Sequence, residues 1–446
     1  MKKLIETLKN IWKIEDLKSR LLTTILFVLV YRFGSYVVLP GVDAEALTHL
    51  KAQTSGGIMA LLDMFSGGAF HNASIFALGI MPYISASIVI QLLTIAVPSF
   101  QKLQREGESG QRKMNQYTRM LTVLILMLQA PSYLANLSVQ LRSAGSALPP
   151  GILFTITSTI ILMAGSMFVM WLGERITDKG IGNGISFIIM IGIISRLPGA
   201  LLKEFTSRLH TGGGLVMFLL EIIILLVVIG FAILLVQGTR KIPVQYAKRI
   251  VGNKQYGGVR QYIPLKVNAA GVMPIIFAQA IMFIPAALMS YSTSENLHSF
   301  MGSFTRYNSV SYNVVSALLI IAFTYFYTAI TVNPVQMAED MKRNNGFIPG
   351  IKPGKKTAEY LDLIMSRITL PGSIFLALIA ILPAFASMMG MTHEFAQFFG
   401  GTSLLILVGV VLDTLQQVES HLLMRHYDGL LKSGRIKGRT GGASAY

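Results

Sequence analysis

Cysteine is absent from the 446 residues, which excludes disulfides, thiol chemistry and thiolate metal sites. Charge is scarce. Only 13% of residues are Asp, Glu, Lys or Arg, about half the share usual in a soluble protein. Acidic residues are the scarcer kind, 21 against 38 Lys and Arg, which leaves a net charge of +17. No polar stretch is long enough to fold as a soluble domain. Enzyme signatures are missing as well: there is no HExxH, no GxSxG and no Walker A motif. Gly107-Glu108-Ser109-Gly110 is no nucleophile elbow, because no strand precedes it in its basic loop. The expectation is a protein that is not an enzyme and holds neither cofactor nor metal. ATP-driven work would have to come from a partner.

What is there is apolar. Ten long segments cover approximately 21–39, 73–96, 117–137, 152–173, 185–202, 215–237, 269–291, 312–332, 369–388 and 402–419. Each is close to the ~20 residues that cross a bilayer core as a helix. Backbone polar groups in lipid must bond within their own segment, which favours helices over open strands. Taking alternate loops, one side of the membrane carries 31 Lys and Arg and the other carries 6, with Arg32 inside the first segment. The positive-inside rule then places both termini in the cytoplasm. Few ionisable residues sit in the segments: Arg32, Glu221, Asp413 and Glu419. Pumps and coupled transporters usually carry more. These four are expected to snorkel or to bond a neighbour.

The sequence predicts an all-α membrane protein of ten spans in two pseudo-symmetric halves. Residues 1–20 form a cytoplasmic amphipathic segment, with Leu4, Leu8, Ile11 and Trp12 at helical spacing and lysines opposite. No cleavable signal peptide is expected there, because charges interrupt the stretch. Residues 21–205 hold spans one to five, 206–213 form an exposed hinge, 214–420 hold spans six to ten, and 421–446 form a basic tail. Halves of five crossings must have opposite topology, which is the arrangement of an inverted repeat. Two cytoplasmic loops, 238–268 and 334–368, are long and basic. The first has seven Lys and Arg and no acidic residue. Such loops suit an acidic or RNA-rich partner as well as topology.

Three local features stand out. The apolar run 58–65 is flanked by glycine pairs at 56–57 and 67–68, too short to span and too apolar for an ordinary loop. A short re-entrant helix fits best, and an interfacial helix is the alternative. Pro82 and Pro274 fall inside apolar segments and are expected to kink them. GIGNG at 180–184 reads as a tight cytoplasmic turn, with close packing of its GxxxG spacing less favoured.

Several stretches carry a family resemblance over nearly the whole chain. They are GGIMALLDMFSGGAFHNASIFALGIMPYISASIVIQLL (56–93), WLGERITDKGIGNGISFIIM (171–190), YAKR (246–249) with IPLKVNAAGVMP (263–274), and NPVQMAEDMKRNNGFIPGIKPG (333–354). EGESGQRKMNQYTR (106–119) and FGGTSLLI (399–406) add to them. The chain resembles the SecY family, channel subunits of the bacterial Sec protein-translocation machine.

The resemblance implies an hourglass channel whose halves open like a clamshell. It passes unfolded secretory proteins across the membrane and releases transmembrane segments sideways into lipid. Family pore-ring positions map onto Ile80, Ile84, Ile189, Ile276 and Ile406. A ring of branched aliphatics offers water and ions no hydrogen bonds and can gate by dewetting. A plug is implied at about 57–70, with Gly57, Met59, Leu61, Leu62, Met64, Phe65, Gly67 and Gly68. A lateral gate is implied between spans two and three and spans seven and eight, along Ser85, Ser87, Gln91 and Gln129. Lys248, Arg249 and Lys352 map onto tips that dock cytoplasmic partners. Two departures stand here: Lys352 replaces the family's usual Arg, losing the planar fork, and the basic pairs after YAKR are thinner, with Asn253 beside Lys254.

Partners implied by the resemblance are SecE and SecG, the motor ATPase SecA, the ribosome with its nascent chain, signal sequences and secretory preproteins, and membrane lipids. SecDF and a YidC-type insertase extend that set. The implied location is the bacterial plasma (inner) membrane. Two other classes remain open on the residues alone. A secondary transporter would need a polar midplane site, and an intramembrane hydrolase would need the motifs that are missing.

Overall fold

The computed structural model describes residues 14–43, 63, 66–143, 148–149, 151–211, 214–246, 249–251, 254–256, 260–279, 281–282 and 309–432. At 95, 105, 143, 211, 249–251, 254–256, 260 and 423–432 the description is of the backbone. The amphipathic pattern expected over residues 1–13 lies outside it.

The first helix, α1 (Glu15–Gly34), buries Leu17, Thr24 and Tyr31, a stripe at seven-residue spacing. Its remaining surface is also apolar: Leu26 is 59% exposed and Phe33 77%. In water such a face would be a liability, whereas lipid covers it without cost. The same holds along α5 (Ile152–Lys179), α7 (Gly214–Gln237) and α8 (Val310–Thr331), where Leu153, Val216 and Leu318 all face outward. The other helices are α2 (Met81–Ala96), α3 (Pro98–Arg105), α4 (Glu108–Ser143), α6 (Gly184–Thr211), α9 (Pro334–Arg343), α10 (Lys355–Met388), α11 (His393–Ala396) and α12 (Gly401–Lys432). Residues 273–279 are helical within the seventh segment. Among the described residues seven helices are long and apolar enough to cross a membrane, and eight if α2 and α3, bent by 102°, form one span.

The second segment begins differently from the expectation. Residues 66–80 form turns, and helix starts only at Met81. Positive φ at Gly67, Gly68, Ala73 and Gly79 holds these residues out of a right-handed helix. The stretch also pairs with the exit of α1, Leu39 N–H donating to Ala73 O at 2.8 Å and Ile75 N–H to Val37 O at 3.0 Å. Pro82 therefore lies in the first turn of α2 and kinks nothing, since that position has no helical bond to lose. Pro274 is likewise the second residue of its helical run. Among the described residues the helix-interior prolines are Pro131, Pro198, Pro371 and Pro383. The hinge expected at 206–213 is also shorter, because α6 stays helical to Thr211.

The loop 238–268 holds strands as well as charge. β1 (Thr239–Tyr246) pairs antiparallel with β4 (Arg260–Lys266), while β2 (Arg249–Val251) and β3 (Lys254–Tyr256) form a small hairpin between them. β5 (Gly346–Phe347), from the second basic loop, pairs with the other edge of β1. The two basic loops are thus one sheet of order β4-β1-β5. Ile242 and Val244 alternate inward from β1 and pack with Leu265, Met341, Ile348, Leu361 and Met365.

The GIGNG turn is both a turn and a packing site. Gly184 N–H donates to Thr177 Oγ1 at 2.9 Å. A Cβ at Gly184 would lie 2.0 Å from the Gly173 carbonyl oxygen of α5. The close-packing reading of this glycine, less favoured from sequence, is the observed one. Gly184→Val is expected to cost at least about 1–3 kcal/mol of overpacking, read as reduced membrane accumulation and a lower melting temperature in detergent.

Candidate functional site

The aliphatic positions converge from both halves. Ile80 caps α2, Ile84 lies one turn further, Ile189 comes from α6 and Ile406 from α12. Ile80, Ile189 and Ile406 are buried in one apolar cluster, with Ile84 packed against it. Phe395, Phe398 and Phe399, between α10 and α12, close the same cluster. Ile276 behaves differently: it is half-buried on the run 273–279 and lies outside that cluster.

Of the residues assigned to the plug, Gly57, Met59, Leu61, Leu62, Met64 and Phe65 lie outside the described residues. Gly67 and Gly68 are described, as is Asp63 among them. This end of the segment is tied to its surroundings. Tyr31 OH donates to Ser66 O at 3.1 Å, Arg32 Nη1 to Gly67 O at 2.9 Å, and Tyr133 OH to Phe70 O at 2.8 Å. The fully buried Asp63 carboxylate pairs with Arg196 of α6. Beside it opens a cavity of about 270 Å³, lined by Arg32, Asp63, Arg196, Lys203 and Glu394 among others. On its rim, burial lowers the His393 pKa below the usual histidine value, against the pull of Glu394.

The gate positions do not all meet. Gln91 of α2 reaches α8, where Tyr327 OH donates to its Oε1 at 3.5 Å. Gln91 Nε2 also approaches Ser87 Oγ at 3.5 Å. Both distances are at the outer limit of a hydrogen bond. Ser85 instead donates to Met81 O within its own helix, and Gln129 faces outward from α4.

The firmest polar contacts between the halves lie along α6. At one end Gly182 N–H donates to Gln417 Oε1 of α12 at 2.8 Å; beside it, within the first half, Thr24 Oγ1 of α1 accepts from Ile181 N–H. At the other end Glu204, Arg208 and Glu221 form a buried charge cluster. Arg208 Nε meets Glu204 at 3.0 Å, and Arg208 Nη2 meets Glu221 of α7 at 2.6 Å. Glu204 Oε2 accepts from Thr392 N–H at 2.7 Å and from the Thr392 hydroxyl. Lys203 pairs with Glu394 nearby, in a more exposed position. Sequence reading noted Glu221 alone. The Glu204–Arg208 spacing of four was visible, but the third member comes from another helix.

The docking positions lie in the two basic loops, and the described ones are not on the sheet that joins them. Lys248 lies outside the described residues. Arg249 opens β2, and Lys352 is exposed in the turn before α10, where its carbonyl accepts from Thr357 Oγ1 at 3.0 Å.

The buried cluster at the end of α6 makes a direct claim on stability. Arg208→Ala strands two buried carboxylates and is expected to cost about 3–5 kcal/mol. Lys203→Ala, at the exposed pair, is expected to cost less than about 1 kcal/mol. Thermal unfolding of both variants in detergent checks the contrast.

The chain matches known proteins along most of its length. The SecY family model matches residues 74–415. A protein translocase subunit SecY from Thermotoga maritima is 40% identical over 442 residues, covering 97% of this chain and 99% of that one. Among solved structures, a channel described by its SecY plug domain, which stabilises the closed state and maintains a membrane seal, superposes with a TM-score of 0.59 at 18% identity. That match covers 95% and 94% of the two chains. Sec61 in a canine ribosome–channel complex superposes with a TM-score of 0.55 at 16% identity, over 95% and 94%. The structural likenesses fix the fold, and the sequence matches fix the lineage: this multi-pass membrane protein belongs to the SecY family.

Proposed function

We propose that the protein is the protein-conducting channel of a bacterial plasma-membrane translocase, with both termini in the cytoplasm. The observation that carries this reading is the aliphatic cluster. Isoleucines from α2, α6 and α12 meet between the halves, and Ala69, just beyond the second glycine pair, joins their cluster. Such a constriction binds nothing specific, excludes water and ions, and deforms around a chain of any sequence. A transporter would need directional polar groups there. With α2 and α3 counted as one span, α1 and the seventh segment bring the eight long spans to ten.

The same reading gives the edge between α2 and α8 the role of lateral gate. Interhelical polar bonds in membranes average about 0.6 kcal/mol, so the long Gln91–Tyr327 contact closes the edge weakly. An apolar signal segment can replace it. Residues 57–70 are the plug. Lys248 and Arg249 of the first basic loop and Lys352 of the second dock the ribosome or SecA, and SecE and SecG complete the membrane complex. The whole reading is tested by isolating the protein from membranes and asking whether small membrane subunits and the motor ATPase accompany it.

Two outcomes follow for individual residues. Ile84→Asn with Ile406→Asn places amides in the constriction and is expected to raise resting ion conductance in planar bilayers; an unchanged leak sinks the ring assignment. Glu at Lys248, Arg249 and Lys352 together is expected to leave expression intact, because exposed charges contribute little to stability. It should weaken SecA or ribosome binding by an amount that shrinks as salt rises. Equal affinity at low salt would leave these three as topology signals.

A further inference from the structure

We propose that Asp63 and Arg196 form a releasable charge latch that sets how readily the plug leaves the constriction. The proposal rests on reading residues 57–70 as the plug.

Asp63 has two roles in one carboxyl group. Its Oδ1 accepts from His71 N–H at 2.8 Å, and its main-chain oxygen accepts from Gly68 N–H at 2.9 Å and Ser66 Oγ at 3.0 Å. These bonds tie Asp63 to residues 66–71. Its other carboxyl oxygen pairs with Arg196 Nη2, which fastens these residues to α6. A second fastening lies one turn away on the same face of α6. Gly67, at φ +64°, sits so close to Gly192 that a Cβ would come within 2.8 Å of the Gly192 Cα. Residues 192 and 196 are four apart, so both contacts line one helical stripe. Arg32 holds Gly67 O from the α1 side.

The position relative to the constriction is fixed by α6 itself. Arg196 lies seven residues beyond Ile189, which is about 10 Å along a helix. The latch therefore sits two turns from the aliphatic ring, and a displaced plug must break it.

The two partners differ in exposure, and that makes the latch releasable. The Asp63 side chain is 0% exposed, while Arg196 is 28% exposed and lines the cavity of about 270 Å³. With the plug seated, Asp63 depends on Arg196 for its counter-charge. Once the plug has moved, Asp63 leaves its buried place and Arg196 remains beside the cavity, so water can solvate both. A buried ion pair contributes little net stability when both charges can be rehydrated, but loss of one partner strands the other. The closed state is thus more sensitive to loss of Arg196 than to loss of Asp63.

The test is resting potassium chloride conductance of the full chain, reconstituted with its copurifying membrane subunits in planar bilayers. Arg196→Gln is expected to raise the conductance by at least roughly tenfold. Asp63→Asn, which keeps the Oδ1 acceptor for His71, is expected to raise it less. The double variant is expected to fall back to the Asp63→Asn level, because no charge is then stranded. Arg196→Lys should recover most of the seal. If Arg196→Gln fails to accumulate, the double variant should accumulate where the single does not; failure of both means a general structural role and overturns the latch. Arg196→Gln at wild-type conductance, or a double variant as leaky as that single, also overturns it. Deletion of Met59–Phe65 separates this result from the plug reading. A tight deletion variant means the segment is no plug; a leaky one beside a tight Arg196→Gln means a plug without this latch.

Discussion

The structure depends on an imbalance of polar contact around its two halves. Along α6 the halves are joined by buried ion pairs and backbone-directed hydrogen bonds, from Gly182–Gln417 at one end to Glu204–Arg208–Glu221 and Thr392 at the other. Between α2 and α8 the contact is Gln91 to Tyr327 at 3.5 Å. A shell of lipid supplies no hydrophobic force to press helices together, so such polar and packing contacts decide which edges hold. Buried charges that lose their partners cost several kcal/mol, while a long neutral bond costs a fraction of one. On the proposed reading, the molecule parts at the α2–α8 edge and pivots at the α6 edge.

That imbalance explains why an apolar ring suffices as the constriction. A hinge with directional contacts keeps the two halves in one register, so the isoleucines need no directional bonds of their own. Ile84, Ile189 and Ile406 pack by volume and exclude water by lacking partners for it. Specificity of position comes instead from the polar ties on Asp63, Ser66, Gly67 and Phe70, made by Arg196, Tyr31, Arg32 and Tyr133. Two different kinds of force thus divide the work. On the proposed reading, shape-tolerant packing meets the translocating chain and directional bonding defines the closed state.

Much of this was legible in the sequence because the bilayer imposes a length and a hydropathy on every span. The segments for α4, α5, α7, α8, α10 and α12 follow from that constraint alone. The start of α2 did not, because residues 73–80 are as apolar as a helix and only their backbone geometry sets them apart. Strands β1 and β4 were hidden by their charge: Ile242 and Val244 alternate inward, but Arg240, Lys241 and Lys266 drew the eye to the loop's net charge instead. Periodicity reports one element's buried face and says nothing of which distant element fills it. Hence Glu204–Arg208 was readable as a pair four apart, while Glu221 and Thr392 as its partners were not. Asp63 and Arg196 share no local pattern at all; only the fold brings them together.

The sheet β4-β1-β5 couples the two basic loops mechanically. β5 belongs to the loop between α9 and α10, and β1 to the loop after α7, yet they pair along Gln245–Phe347 and Tyr246–Gly346. A partner that presses on either basic loop therefore presses on both, and the small core of Ile242, Val244, Met341, Leu361 and Met365 passes that load to the start of α10. α10 in turn packs on α8, the helix that carries Tyr327. A force applied at the sheet has a continuous packed route to the weak edge, while the opposite edge is held by the Gly182–Gln417 bond at one end of α6 and the buried charges at the other. Because close-packed elements move as units and do not stretch, a small displacement at the sheet is delivered to the contact least able to resist it, the bond between Gln91 and Tyr327.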